Sequence, residues 1–134
     1  MKKINLLIAA LAGRMAAVLV VSIALLHVVS IWMYYVATEA MFLFARYAFD
    51  RLGYRRFEWK CHNDNQPSKR AALRFGFLFE GLFRQHMVAK GKNRDTAWFA
   101  IIDQDWPRLK AGYEVWLQPE NFDAAGQQRR KLTF

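Results

Sequence analysis

Residues 15–37, MAAVLVVSIALLHVVSIWMYYVA, limit most strongly what this chain can fold into: they carry no formal charge, and only Ser22, His27 and Ser30 interrupt an apolar run. Wound as an α-helix, the run is about 34 Å long, close to the hydrocarbon thickness of a bilayer. Three readings follow. The first is a transmembrane helix. Lys2, Lys3 and Arg14 precede it and Arg46, Arg51, Arg55 and Arg56 follow, so the flanking charge separates the two orientations only weakly and leans to a cytoplasmic C-terminal part. The second is a helix buried on all sides of a globular fold, packed on a sheet. The third takes MKK and INLLIAALA as the start of a secretory signal, with Ala10 and Ala12 as a small-residue cleavage pattern.

The next segment, TEAMFLFARYAFDRLGYRR, reads as a helix over 38–52. Glu39, Arg46 and Asp50 fall on one narrow polar stripe, the other faces are apolar, and Gly53 supplies a C-terminal stop. It can continue the apolar run as one rod. From Arg56 the period changes to two: Phe57, Trp59 and Cys61 face one way and Arg56, Glu58, Lys60 and His62 the other, a half-buried strand over 55–62. HNDNQP is a loop by its Asn, Asp and Pro content. FLFEGLFRQHMV and TAWFAIID read as an antiparallel pair over 77–88 and 95–103, joined by AKGKNRD, with Gly81 marking a bend or bulge. Asp105 is placed to cap a last helix, WPRLKAGYEVWLQ, with Leu109, Tyr113 and Trp116 as its core stripe. PENFDAAGQQRRKLTF reads as a loosely packed polar tail.

At 134 residues the chain suits one domain, and its formal net charge of +9 favours an anionic partner without choosing among a phosphorylated cofactor, a nucleic acid and a membrane surface. A nucleic-acid role ranks low, because the aromatics fall at core-like spacing rather than on an exposed basic strand face. The single Cys61 excludes an internal disulfide and leaves no cysteine metal cluster, which fits a reducing compartment. One stretch joins charge to local structure. NQPSKRAALRFGF is a short helix over 66–75 with Asn65 as N-cap, Pro67 in the first turn and Gly76 at the stop, and it carries Lys69, Arg70 and Arg74. A helix N-terminus beside three cations attracts an anion; Asn65 as a mere cap with solvated cations is the plain alternative.

GYRRFEWKC, the N-x-x-S of Asn65 and Ser68, Gly76 with Phe77, and FEGLFRQHMVAKGKNRDTAWFAIID together resemble the C-terminal half of a GNAT-family N-acetyltransferase of the RimJ/RimL type, from about Ala37 to Asn121. The resemblance implies an α/β fold, a partial GNAT acyltransferase fold in the order helix, strand, helix, strand, strand, helix, preceded by the apolar helix. It divides the chain into an unrelated apolar segment (1–36), the partial domain (37–121) and the tail (122–134). The resemblance further implies acetyl-CoA as co-substrate, with Asn65 and Ser68 on the cofactor side and Ser68 as proton donor to the leaving thiolate. Lys69, Arg70 and Arg74 join them as cofactor-binding residues on grounds of charge. The acceptor is a primary amine, a protein N-terminus or a small amine. Glu80 and His86 are weaker candidates for the base, and Cys61 alternates with core-facing aromatics and makes a poor nucleophile.

A complete domain of this kind carries a glycine-containing loop whose N–H groups cradle pyrophosphate, and an N-terminal half that supplies the first strands and much of the acceptor site. VVSIWMYYVA stands in that loop's place and has neither glycine nor arginine. An unbroken helix has its N–H donors already engaged. Two readings therefore stand side by side: an N-acetyltransferase completed by a second copy of the chain or by its N-terminal segment, and a truncated, inactive fragment. Either is placed in the cytoplasm, and residues 15–37 offer a membrane contact that would anchor it to the inner membrane.

Overall fold

One helix outruns everything it packs against. The computed structural model describes the backbone of residues 2–134, with side chains at 15, 18–23, 25, 26, 29 and from 33 onward. Helix α1 (Lys2–Arg46) is 45 residues, about 67 Å at 1.5 Å per residue, whereas the central strand's 11 residues reach about 36 Å. Only its C-terminal part can therefore lie against the rest of the fold. Thr38, Phe42 and Ala45 are buried there, whereas Val18, Val20, Leu26 and Val29 are exposed. The expectation of a helix buried on all sides is overturned for the described side chains. Residues 16, 17, 24, 27, 28 and 30–32 have side chains outside the described set. Among the described residues no helix is long and apolar enough to cross a membrane, and the transmembrane expectation gains no support there. The side chains of Ala10 and Ala12, the expected cleavage pattern, also lie outside the described residues.

The sequence boundary at 38–52 holds at its end but not at its start. α1 continues unbroken from the apolar run through Arg46, changes to a π-helical turn at Tyr47–Arg51, and stops before Gly53, whose φ is +65°. The chain then forms β1 (Arg56–His62), α2 (Gln66–Arg74), β2 (Leu78–Ala89), β3 (Lys92–Ile102), α3 (Trp106–Trp116) and a 3₁₀ turn at Pro119–Asn121. The strands make one antiparallel sheet in the order β1-β3-β2. AKGKNRD is mostly strand rather than connection. Ala89 pairs with Lys92, leaving Lys90 (φ +52°) and Gly91 (φ +72°) as a two-residue turn. Positive φ at both positions matches the twist of the flanking strands, so the hairpin needs no longer loop.

Cross-strand register explains the core. Phe57, Trp59 and Cys61 stand opposite Ile101, Phe99 and Ala97, and these face the helices. Phe42, Ala45 and Phe49 come down from the first helix and its π-turn, Ala72 and Phe75 from α2, and Trp106, Leu109 and Tyr113 from α3, with Phe49 stacked on Trp106 at 5.3 Å. Tyr113, fully buried, donates its O–H to the Phe75 carbonyl at 2.8 Å and so ties α3 to the end of α2. Burial pushes the Tyr113 phenol well above its ordinary range. Asp105 precedes α3 but its carboxylate makes no capping bond; its backbone is already helical, which turns the side chain away from the N–H groups it would have to reach.

The C-terminal tail is mostly exposed, as the sequence leads one to expect, but a few of its residues anchor it to α3. Asn121 is buried and bonds the Trp116 and Arg130 carbonyls, Trp116 Nε1 donates to Gln128 Oε1 at 2.9 Å, and Phe134 lies 5.2 Å from the Tyr113 ring. Its composition is polar, but its few rings and amides find partners on α3. Gly76 is where this packing is tightest: at φ +86°, a Cβ there would come within 2.7 Å of Leu109 and 3.0 Å of Phe134. Gly91 has similar dihedral strain and open space around it. In urea denaturation, Gly76→Ala should cost about 2–4 kcal/mol, strain plus overpacking, against about 1 kcal/mol for Gly91→Ala. Equal costs would show that Gly76 is held by its dihedral alone.

Asp50 clamps the other end of the helical layer. Its carboxylate accepts from Lys110 Nζ and from Trp106 Nε1, each at 2.6 Å. The Lys110 ammonium, with help from the Trp106 N–H, holds the Asp50 carboxyl below the usual carboxylate range. A depressed folded value means that this stabilisation is present above the unfolded value of about 3.9 and fades as pH falls through the folded one. The stability gap between the protein and Asp50→Asn should be widest near neutral pH and close in acid below about 3.9. Thermal unfolding across that range measures it, and a gap independent of pH would exclude the ionised carboxylate as its source.

Candidate active site

The residues singled out around NQPSKRAALRFGF separate onto two sides of α2. Asn65 caps it, its Oδ1 accepting from the Ser68 N–H at 3.1 Å. Ser68 shares the face of Ala72 and Phe75 and turns toward β1, where its Oγ accepts from Trp59 Nε1 at 3.0 Å. That bond occupies an oxygen lone pair and leaves the hydroxyl proton free to be donated. Lys69 leaves the helix toward the preceding loop and donates to Asn63 Oδ1 at 2.6 Å. Arg70 and Arg74, four residues apart, share the opposite face. The three cations therefore do not act as one cluster.

Arg70 and Arg74 line a cleft of about 640 Å³ between α1 and α2, whose other walls include Met33, Tyr34, Ala37 and Phe75. Arg70 is exposed, and Arg74 is half-buried. The Arg74 guanidinium sits 5.2–5.4 Å from the rings of Tyr34, Phe75 and Trp116, and its Nη1 donates to Thr38 Oγ1 at 2.8 Å. Thr38 is fully buried and donates in turn to the Tyr34 carbonyl at 2.6 Å. Arg74 Nη2 is buried with no hydrogen-bond partner. Burial lowers the Arg74 pKa from its ordinary value.

Reading the sequence missed Thr38, Tyr34 and Trp59. The signal for Thr38 was its place in the series Thr38, Phe42, Ala45, Phe49, a polar residue on the core face of a helix. For Trp59 it was the indole N–H, which needs an acceptor when its ring enters a core. The weaker base candidates have structural partners. Glu80 is held by Arg56, which also donates to Glu58 at 2.6 Å, and the Arg56 guanidinium lowers the Glu80 carboxyl. His86 is exposed, with its Nδ1 2.9 Å from Thr96 Oγ1, and Cys61 is buried in the core.

Residues 19–78 match the family model described as the acetyltransferase (GNAT) domain. These residues are similar to part of a GNAT acetyltransferase domain. A crystal structure of a GCN5-related N-acetyltransferase from Brucella melitensis is 69% identical and superposes with a TM-score of 0.70 over 72% of this chain and 43% of that one. A GNAT-family probable acetyltransferase from Chromobacterium violaceum is 55% identical over 53% of this chain and 35% of that one, with a TM-score of 0.51. YoaA of Bacillus subtilis, named as an uncharacterized N-acetyltransferase, is 35% identical over 66 residues, 49% of this chain and 37% of its own length. The chain thus spans less than half the length of each of these relatives. The GNAT match begins inside the apolar helix, and α1 is unbroken through VVSIWMYYVA. Its backbone N–H groups there are engaged along the helix and form no phosphate-binding nest.

The Thr38–Arg74 bond is the most exposed to test within this segment. Thr38→Val keeps the shape and removes the acceptor, leaving Arg74 with a second orphaned nitrogen. A loss of about 1–3 kcal/mol in urea denaturation is expected. No change would mean that ring stacking alone holds the guanidinium.

Proposed function

We propose that the chain is part of an acetyl-CoA-dependent N-acetyltransferase that passes an acetyl group from the thioester to a primary amine, a protein N-terminus or a small amine. The observation that carries this reading is the cleft between α1 and α2, with apolar walls, Arg70 at its mouth and the unpartnered Arg74 Nη2 beside it. An apolar trough ending in cations suits the pantetheine arm and phosphates of the cofactor on the α2 side; the α1 side contributes apolar surface and no N–H cradle. Acetyl-CoA, when bound, supplies an activated acyl group and a thiolate leaving group.

Arg70 and Arg74 would hold phosphate charge, and Asn65 would fix the first turn of α2. Ser68 lies on the β1 side of α2, away from the cleft that Arg70 and Arg74 line, so it would donate to the departing sulfur where the thioester end rounds the N-terminus of α2 to that side. Lys69 adds positive charge at the same helix but is tethered to Asn63. A neutral amine attacks the carbonyl, its extra proton passing to a base.

Calorimetry with acetyl-CoA tests the reading. Binding should weaken with salt, and Arg70→Ala should lower affinity by about 1–3 kcal/mol, the range for a charge-assisted hydrogen bond. Ser68→Ala should leave affinity unchanged and reduce turnover, because its donation acts mainly in the transition state. Absence of heat at millimolar acetyl-CoA would remove the proposal and leave the inactive fragment.

A further inference from the structure

A diphosphate is held by convergent backbone N–H donors, and the two helices that border the cleft have none free. In the first turn of α2 every donor is already engaged. Gln66 N–H donates to the Asp64 carbonyl at 2.9 Å, Ser68 N–H to Asn65 Oδ1 at 3.1 Å and Lys69 N–H to the Asn65 carbonyl at 3.1 Å. Pro67, which itself lines the cleft, has no N–H to offer. The cap that starts α2 therefore also closes its N-terminus to an anion. On the opposite side α1 runs unbroken from Lys2 to Arg46, so Met33, Tyr34 and Ala37 meet the cleft from mid-helix, where N–H groups are bonded along the axis.

Of the three cations of α2, one is accessible to a ligand. Lys69 is tied to Asn63 Oδ1. Arg74 is enclosed by Tyr34, Phe75 and Trp116, with Nη1 on Thr38 and Nη2 buried, so it lends charge from behind the wall without reaching a phosphate. Arg70 is exposed at the mouth and, among the described residues, has no carboxylate partner. Met33, Ala37, Ala71 and Phe75 make the rest of the cleft apolar, and its volume of about 640 Å³ accommodates a flexible arm.

We propose, resting on acetyl transfer as the activity, that this cleft recognises only the phosphopantetheine part of its thioester donor. One phosphate meets Arg70, the arm lies along the apolar wall, and the 3′-phospho-AMP remainder of CoA adds no affinity. The donor class is then acyl thioesters of 4′-phosphopantetheine, of which acetyl-CoA is one member. A phosphate monoester is served by a single charge-assisted contact from an exposed guanidinium. A diphosphate with a further phosphate beyond it requires a cradle that α1 and α2 do not form.

Calorimetry at about 0.15 M salt compares acetyl-CoA, acetyl-4′-phosphopantetheine and acetyl-pantetheine, which has no phosphate. The first two should bind within about threefold of each other and the third about tenfold more weakly, and Arg70→Ala should erase that difference. Adenosine 3′,5′-bisphosphate at millimolar concentration should displace none of them. Three results would each overturn the inference and leave acetyl transfer standing: acetyl-CoA binding about tenfold or more tightly than acetyl-4′-phosphopantetheine, displacement by the bisphosphate, or a phosphate preference that survives Arg70→Ala. Heat from none of the three thioesters would instead remove acetyl transfer itself, and this inference with it.

Discussion

The arrangement of the helical layer turns on one guanidinium. Arg74 is enclosed by Tyr34, Phe75 and Trp116 and bonded to Thr38, so a single side chain of α2 reaches both α1 and α3. A half-buried cation is tolerated only where rings and an acceptor replace its hydration. Those contacts fix where α1 crosses α2, and the crossing opens the cleft that Arg70 and Arg74 line. The Tyr113 bond to the Phe75 carbonyl repeats the device one turn away with a neutral group.

A three-stranded sheet with helices on one side has two unlike faces, and the chemistry divides along them. Phe57, Trp59, Phe99 and Ile101 belong to the helix-covered face, and Ser68 meets that face through Trp59. The other face keeps Arg56, Lys60, His86 and Trp98. This division follows from period-two alternation in β1 and β3, since a one-residue slip of register would exchange the two sets.

The resemblance to GNAT acetyltransferases rested on Asn65, Ser68, Gly76, Phe77 and the paired strands, and these elements stand where the sequence placed them. The short helix was legible because Asn65, Pro67 and Gly76 each act through local geometry. The start of β3 was not, because Lys92, Asn93 and Arg94 look like a loop until the positive-φ pair at Lys90 and Gly91 closes the hairpin. The anchoring contacts of the tail were equally hidden: Phe134 and Gln128 meet α3 only after the chain has turned back.

By itself the sequence determined the elements whose causes are local: the alternation of β1, the capped α2 and the buried stripe Leu109, Tyr113 and Trp116. It also supplied the cations, but not their company. Tertiary structure decided that Lys69 turns to Asn63, that Arg74 is enclosed by rings, that Arg56 takes both Glu58 and Glu80, and that His86 folds over Trp98. The reason is physical. Backbone preferences and caps act within a few residues, whereas the environment of a charge is set by side chains far away in the chain that meet only when the core has formed.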